Sequence, residues 1–140
     1  MLRTALLVLF TFRLAAEIHP QFYFEWQKNA PEFLSIEVEG VEPKTLPRDE
    51  YFETRVRAKV VRVFRSASRV KKGSSIEIRY TVFQPRESYA GPRPLPYLKS
   101  GTRTVFYGRV MERTAEGIWI MEPVAGGRSF DTVSEEESNF

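Results

Sequence analysis

Apolar and polar side chains alternate with a period of two along several stretches of this chain, and no long stretch keeps a helical period of 3.6. In "FLSIEVEGV" Leu34, Ile36 and Val38 share one face, opposite Ser35, Glu37 and Glu39, which is the pattern of a half-buried strand. "YFETRVRAKVVRVFRS" sets Val56, Ala58 and Val60 against Arg55, Arg57 and Lys59. At Val60-Val61 the phase slips by one residue, predicting a β-bulge beyond which Val61 and Val63 turn inward. A third strand, "SSIEIRYTVF", follows the Lys72-Gly73 turn and carries Ile76, Ile78, Tyr80 and Val82 on one side. The turn Lys99-Ser100-Gly101 opens a fourth strand with Val105, Phe106, Tyr107 and Val110, and "GIWIMEPV" supplies a fifth.

Prolines punctuate these runs. Pro43 and Pro47 mark one loop; Pro85, Pro92, Pro94 and Pro96, with Gly91, forbid a regular central strand or helix between Gln84 and Ser100. A loop of that length usually has work to do or moves. The one helix expected is a turn or two within "HPQFYFEWQKNA", started by His19-Pro20 and stopped by Pro31. "AGGRS" at 125–129 reads as a tight turn. The predicted architecture is all-β: a small five-stranded OB-like barrel over residues 33–133. A short N-terminal helix or arm over 17–32 precedes it, and a disordered acidic tail over 134–140 follows.

The segments "VRAKVVRVFRSASRVKKGSSIEIRYTVF" and "PLPYLKSGTRTVFYGRV", with the later "EPVAGGRSF", resemble the core of the netrin-like, tissue-inhibitor-of-metalloproteinase-like OB-fold family. They are most similar in look to uncharacterised exported bacterial members. The resemblance covers about residues 54–130 and implies a fold and secretion. It does not imply protease inhibition, because inhibitors of that family chelate zinc through an N-terminal cysteine and are stapled by disulfides. This chain has no cysteine.

Composition narrows the picture further. At 140 residues the chain supports one domain with a single core, and 42% apolar residues suffice to fill it. The absence of cysteine removes disulfides, thiolate metal sites and thiol nucleophiles. Residues 1–16, "MLRTALLVLFTFRLAA", have a basic start, a short apolar run and terminal small residues, the layout of a signal peptide cleaved near Ala16. The run is too short to span a bilayer. The expected destination is therefore the periplasm or the extracellular space.

Charge is segregated along the rest of the chain. Residues 17–53 hold three basic and nine acidic side chains, residues 54–113 fifteen and three, and residues 114–140 one and six. The fold either neutralises the basic middle with the acidic ends or leaves a basic patch.

The inventory argues against catalysis. The single histidine, His19, either joins the processed N-terminal amine as a metal ligand pair or starts the helix, the second being the expected role. Neither a metal nor a cofactor is implied. Glu37, Glu39 and Glu135–Glu137 read as solvated charges rather than a carboxylate pair. Binding is the expected function, with a protein or cell-envelope partner. The candidate residues are Arg86, Tyr89, Arg93 and Tyr97 on the proline-rich loop, where stiff backbone would display them at little entropic cost. The opposing reading makes that loop a connection packing Leu95, Tyr97 and Leu98 onto the barrel. The alternative function is polyanion binding, to acidic polysaccharide or nucleic acid, by the basic face Arg55, Arg57, Lys59, Arg62 and Arg65 within residues 55–72. Export disfavours nucleic acid. The aromatic stretch Phe22, Tyr23, Phe24 and Trp26 is expected to cover the open end of the barrel, the other possibility being an exposed anchor for a partner.

Overall fold

The computed structural model describes residues 18–134 and 136. The expected signal peptide and residues 135 and 137–140 of the tail lie outside the described residues. Five strands, β1 (Glu32–Glu42), β2 (Tyr51–Ser66), β3 (Ser75–Phe83), β4 (Arg103–Arg113) and β5 (Trp119–Pro123), form a closed barrel in the order β1-β2-β3-β5-β4. All pairings are antiparallel except β3 with β5. This is a small OB-like barrel.

Alternation explains the interior. Leu34, Ile36 and Val38 of β1, Val56, Ala58 and Val60 of β2, and Ile76, Ile78, Tyr80 and Val82 of β3 are all buried, joined by Phe106 of β4 and Met121 of β5. Each large apolar side chain so buried contributes about 1.5–3 kcal/mol. The predicted turns at Gly73 and Gly101 take positive φ values of 88° and 85°, which glycine adopts without a Cβ penalty.

The slip at Val60-Val61 is a bulge: Ser35 pairs with Arg62 and Ile36 with Val60, leaving Val61 as the extra residue. Val63 packs on the core, but Val61 does not join it, because the bulged residue itself has no inward position to occupy. Two further register shifts add Phe64 on β2 and Glu39 on β1 as extra residues. Bulges raise local twist and let the sixteen-residue β2 pair with β1 along one part and β3 along another.

The helix, α1 (Pro20–Asn29), has ten residues rather than the one or two turns expected. His19 is its N-cap, with Nδ1 accepting from the Gln21 N–H at 3.1 Å. The helix does not cover the open end of the barrel. It lies on the outer wall, where Ala30 packs with Tyr107 and Ala125 and against Phe33, Val105 and Val124 in a second small apolar layer. Tyr23 and Gln27 are its buried face, while Phe22 (57% exposed) and Trp26 (39%) face outward.

Residues 124–133 thread past this helix. Gln27 Nε2 donates to the carbonyls of Arg128 (2.7 Å) and Asp131 (2.5 Å), and the Val133 N–H donates to Gln27 Oε1 (2.9 Å). Phe130 of the same segment enters the barrel core, with its ring 5.4 Å from Phe106 and 5.5 Å from Tyr80. The C-terminal segment, not the N-terminal aromatics, thus completes the core.

Candidate functional site

Two loops meet along one rim of the barrel. The β1–β2 loop, residues 43–50, and the proline-rich loop after β3 are tied together by side chains that satisfy loop carbonyls. Gln84 Nε2 donates to Pro47 (2.5 Å) and Asp49 (2.6 Å), Arg86 Nη2 to Arg48 (3.3 Å), and the Tyr97 hydroxyl to Pro43. The Gln84 N–H also bonds the Glu50 carbonyl at 2.8 Å. Neither loop has a ladder of its own, so each provides the other's partners.

The proline-rich loop divides in two. Its second half is packed: Leu98 is buried, and Leu95 and Tyr97 rest on the core. The buried Tyr80 hydroxyl donates to the Pro96 carbonyl at 2.7 Å, and burial raises the pKa of that phenol well above its ordinary 10.0. Its first half stands out. Tyr89 is 43% exposed and meets the Phe83 ring edge-on at 4.9 Å, while Phe83 stacks on Tyr51 at 4.7 Å. Leu46 and Tyr51, at 53% and 63% exposed, belong to the same rim.

The four loop residues singled out in the sequence therefore have four different settings. Arg86 bonds Arg48, Tyr89 joins Phe83 and Tyr51 in an aromatic trio, Arg93 pairs with Asp131 at 3.2 Å, and Tyr97 turns inward to Pro43 and Phe52. Between the two loops opens a groove of about 840 Å³, lined by the end of β1 (Glu39 to Glu42), by Lys44, Thr45 and Leu46, by Arg57, and by Tyr97 to Ser100. Leu46 and Phe83 were missed in the sequence, and Tyr51 stood out there only as a ring that could stack beside the basic face. Phe83 could have been found, since it stands at a strand end on the polar parity.

The basic face is partly used and partly flanked by acids, of which Glu77 pairs with Arg79 and Glu37 with Arg103. Arg55, Arg57 and Lys59 project outward from β2. Their neighbours in the register include Glu42, Glu77 and Glu37 respectively, so acids flank the basic strand on both sides. Arg62 lies over the Phe64 ring at 4.7 Å. Arg65 donates to the Ala30 (2.9 Å) and Gln27 (2.6 Å) carbonyls and so closes the C-terminal end of α1.

One buried carboxylate was not anticipated. Glu32 is fully buried, with Oε1 accepting from the Ser68 N–H at 3.0 Å and Oε2 without a hydrogen-bond partner among the described residues. It shares the parity of Leu34 and Ile36, and that was the available signal. Among the described residues no group of three or more His, Asp or Glu is placed to hold a metal ion, and no helix is long and apolar enough to cross a membrane.

No family model, no curated protein and no solved structure matches this chain.

Proposed function

We propose that this chain is an exported, non-catalytic binding module, of the netrin-like OB kind its strand motifs resemble, which recognises a protein or cell-envelope component with its two-loop rim. The observation that carries this reading is exposed apolar surface on both loops of the rim: Tyr51 and Tyr89 meet through the Phe83 ring, and Leu46 lines the groove. Leu46, Tyr51 and Tyr89 are three of the seven exposed large apolar side chains among the described residues. Exposed aromatic side chains on stiff backbone are the usual anchors of an interface. A stretch of residues satisfied by side-chain hydrogen bonds loses little freedom on binding.

A second reading, polyanion binding by the β2–β3 wall, is favoured by one observation. Arg55 and Arg79 face each other across the two strands, on the same wall as the Tyr51–Phe83 stack. A photo-reactive amino acid placed at Leu46 or Tyr89, and separately at Lys59, tests both in native envelope. The rim reading expects one adduct from positions 46 and 89 that persists at high salt. Adducts from position 59 that vanish with salt would instead indicate polyanion contact, whose affinity falls with counterion release.

A further inference from the structure

On the wall away from the rim, beside α1, the structure forms a cleft of about 300 Å³ that the reading above does not use. Phe24, Phe33, Tyr107 and Val133 line it with apolar surface, together with Gln27, Thr132, Lys28 and Arg65. Its aromatic wall is ordered: Phe33 stacks on Phe64 at 4.5 Å and on Tyr107 at 4.3 Å, the second pair nearly parallel at 9°. A row of three stacked rings crossing β2, β1 and β4 resists collapse into the space beside it.

The polar groups of the cleft are of one sign. None of its eight lining residues is acidic, and two are cations. Lys28 is exposed and has no hydrogen bond or ion pair among the described residues. Arg65 donates to main-chain carbonyls, lies over the Phe33 ring at 5.9 Å, and makes no ion pair among the described residues. Asp131, whose field reaches the Tyr107 hydroxyl, is itself paired with Arg93 (3.2 Å) and Arg128 (2.7 Å). Gln27 makes three main-chain bonds that use both of its amide hydrogens, and Tyr107 shares its hydroxyl with Thr132 at 3.1 Å. What the cleft offers a ligand is therefore apolar surface with two cations beside it, neither in an ion pair among the described residues. Concave, mainly apolar space with a few convergent polar groups is the usual form of a small-molecule site.

We propose that this cleft binds a small amphiphilic carboxylate, with an acyl or aryl body against Phe24, Phe33, Tyr107 and Val133 and its carboxylate toward Lys28 and Arg65. The ligand is a freely diffusing acid rather than a lipid in a bilayer, since the space is bounded on one side by α1 and on another by residues 132–133.

Octanoate, with 1-octanol as the neutral isostere, is the probe. Amide shifts of the ¹⁵N-labelled protein should move at Phe24, Lys28, Phe33, Thr132 and Val133 and saturate with octanoate. Octanol should bind at least about fivefold more weakly, and Lys28→Glu should weaken octanoate by a similar factor while leaving the rest of the spectrum unchanged, the scale of an exposed charge pair. Phe24→Ser should weaken both probes. Equal affinity for octanol, shifts elsewhere, no saturation, or an unchanged affinity in Lys28→Glu would each overturn the assignment. So would co-sedimentation with anionic phospholipid vesicles without any response to octanoate, which would make this a membrane-contact surface. Adducts at the rim do not bear on this outcome, so the two readings fail separately.

Discussion

The two outer walls of the barrel begin from similar strands and end in opposite states. On β2–β3 the outward residues Arg55, Arg57, Lys59, Glu77 and Arg79 stay at the surface, charge beside charge. On β1–β4 the outward residues Phe33, Val105 and Tyr107 are covered by Ala30 at the end of α1 and by residues 124–125. A strand has two faces, and only one need face the barrel core. What differs is whether another part of the chain arrives to cover the second. Here Gln27 and Arg65 hold that cover in place by hydrogen bonds to main-chain atoms far away in sequence.

Removing the shared interior should hurt most and erase the comparison altogether. Phe106→Ala empties a fully buried site under both walls and should lower stability by about 3–5 kcal/mol, read from urea unfolding. Gln27→Ala should cost about 2–3 kcal/mol, because it leaves buried main-chain groups of residues 128–133 without partners. Hydrogen exchange should then show α1 and 124–133 loosened while β2 and β3 stay protected. If all strands open together, the outer layer is no separate unit.

A smaller effect is expected from Tyr80, in the interior near the rim. Tyr80→Phe should cost about 1 kcal/mol, through loss of the hydrogen bond to Pro96. The same residue predicts a pH response. Burial raises the folded-state pKa above the ordinary 10.0, so the protonated phenol stabilises the fold fully below pH 10. As pH rises past that value the unfolded chain releases its proton first, and stability falls. Unfolding between pH 9 and 11 should show this decline in the parent protein and a shallower one in Tyr80→Phe. Smallest of all, Arg57→Ser or Lys59→Ser on the bare wall should shift stability by no more than about 0.5 kcal/mol. A larger loss would mean that the flanking acids Glu37 and Glu77 carry structural weight after all.

The helix shows how local signals and packing divide the work. His19-Pro20 and Pro31 bracket it correctly, yet no apolar stripe of 3.6 period runs through "QFYFEWQKNA". Its ten residues are helical because Tyr23 and Gln27, one turn apart, are both seated, and a polar glutamine at a buried position carries no hydrophobic signal. The rim was half legible. Tyr89 and Arg86 belong to a segment whose prolines announce a loop, whereas Leu46 and Tyr51 gain meaning only when Gln84 and Tyr97 draw the other loop alongside. Glu32 was legible by parity and overlooked because an acid at the start of a strand reads as solvent-facing.

By itself the sequence determined most of the strand-borne interior of the barrel, while Phe130 reaches the core only through the tertiary fold. Period-two alternation names the inward residues strand by strand, and the slip at Val60-Val61 places a bulge, because both are local consequences of backbone geometry. Tertiary structure alone decided the outside: which aromatic rings are covered, which cations are neutralised, and which loop half is packed. Those outcomes depend on contacts such as Gln27 with Val133, 106 residues apart, and nothing in the local pattern of either segment encodes the other.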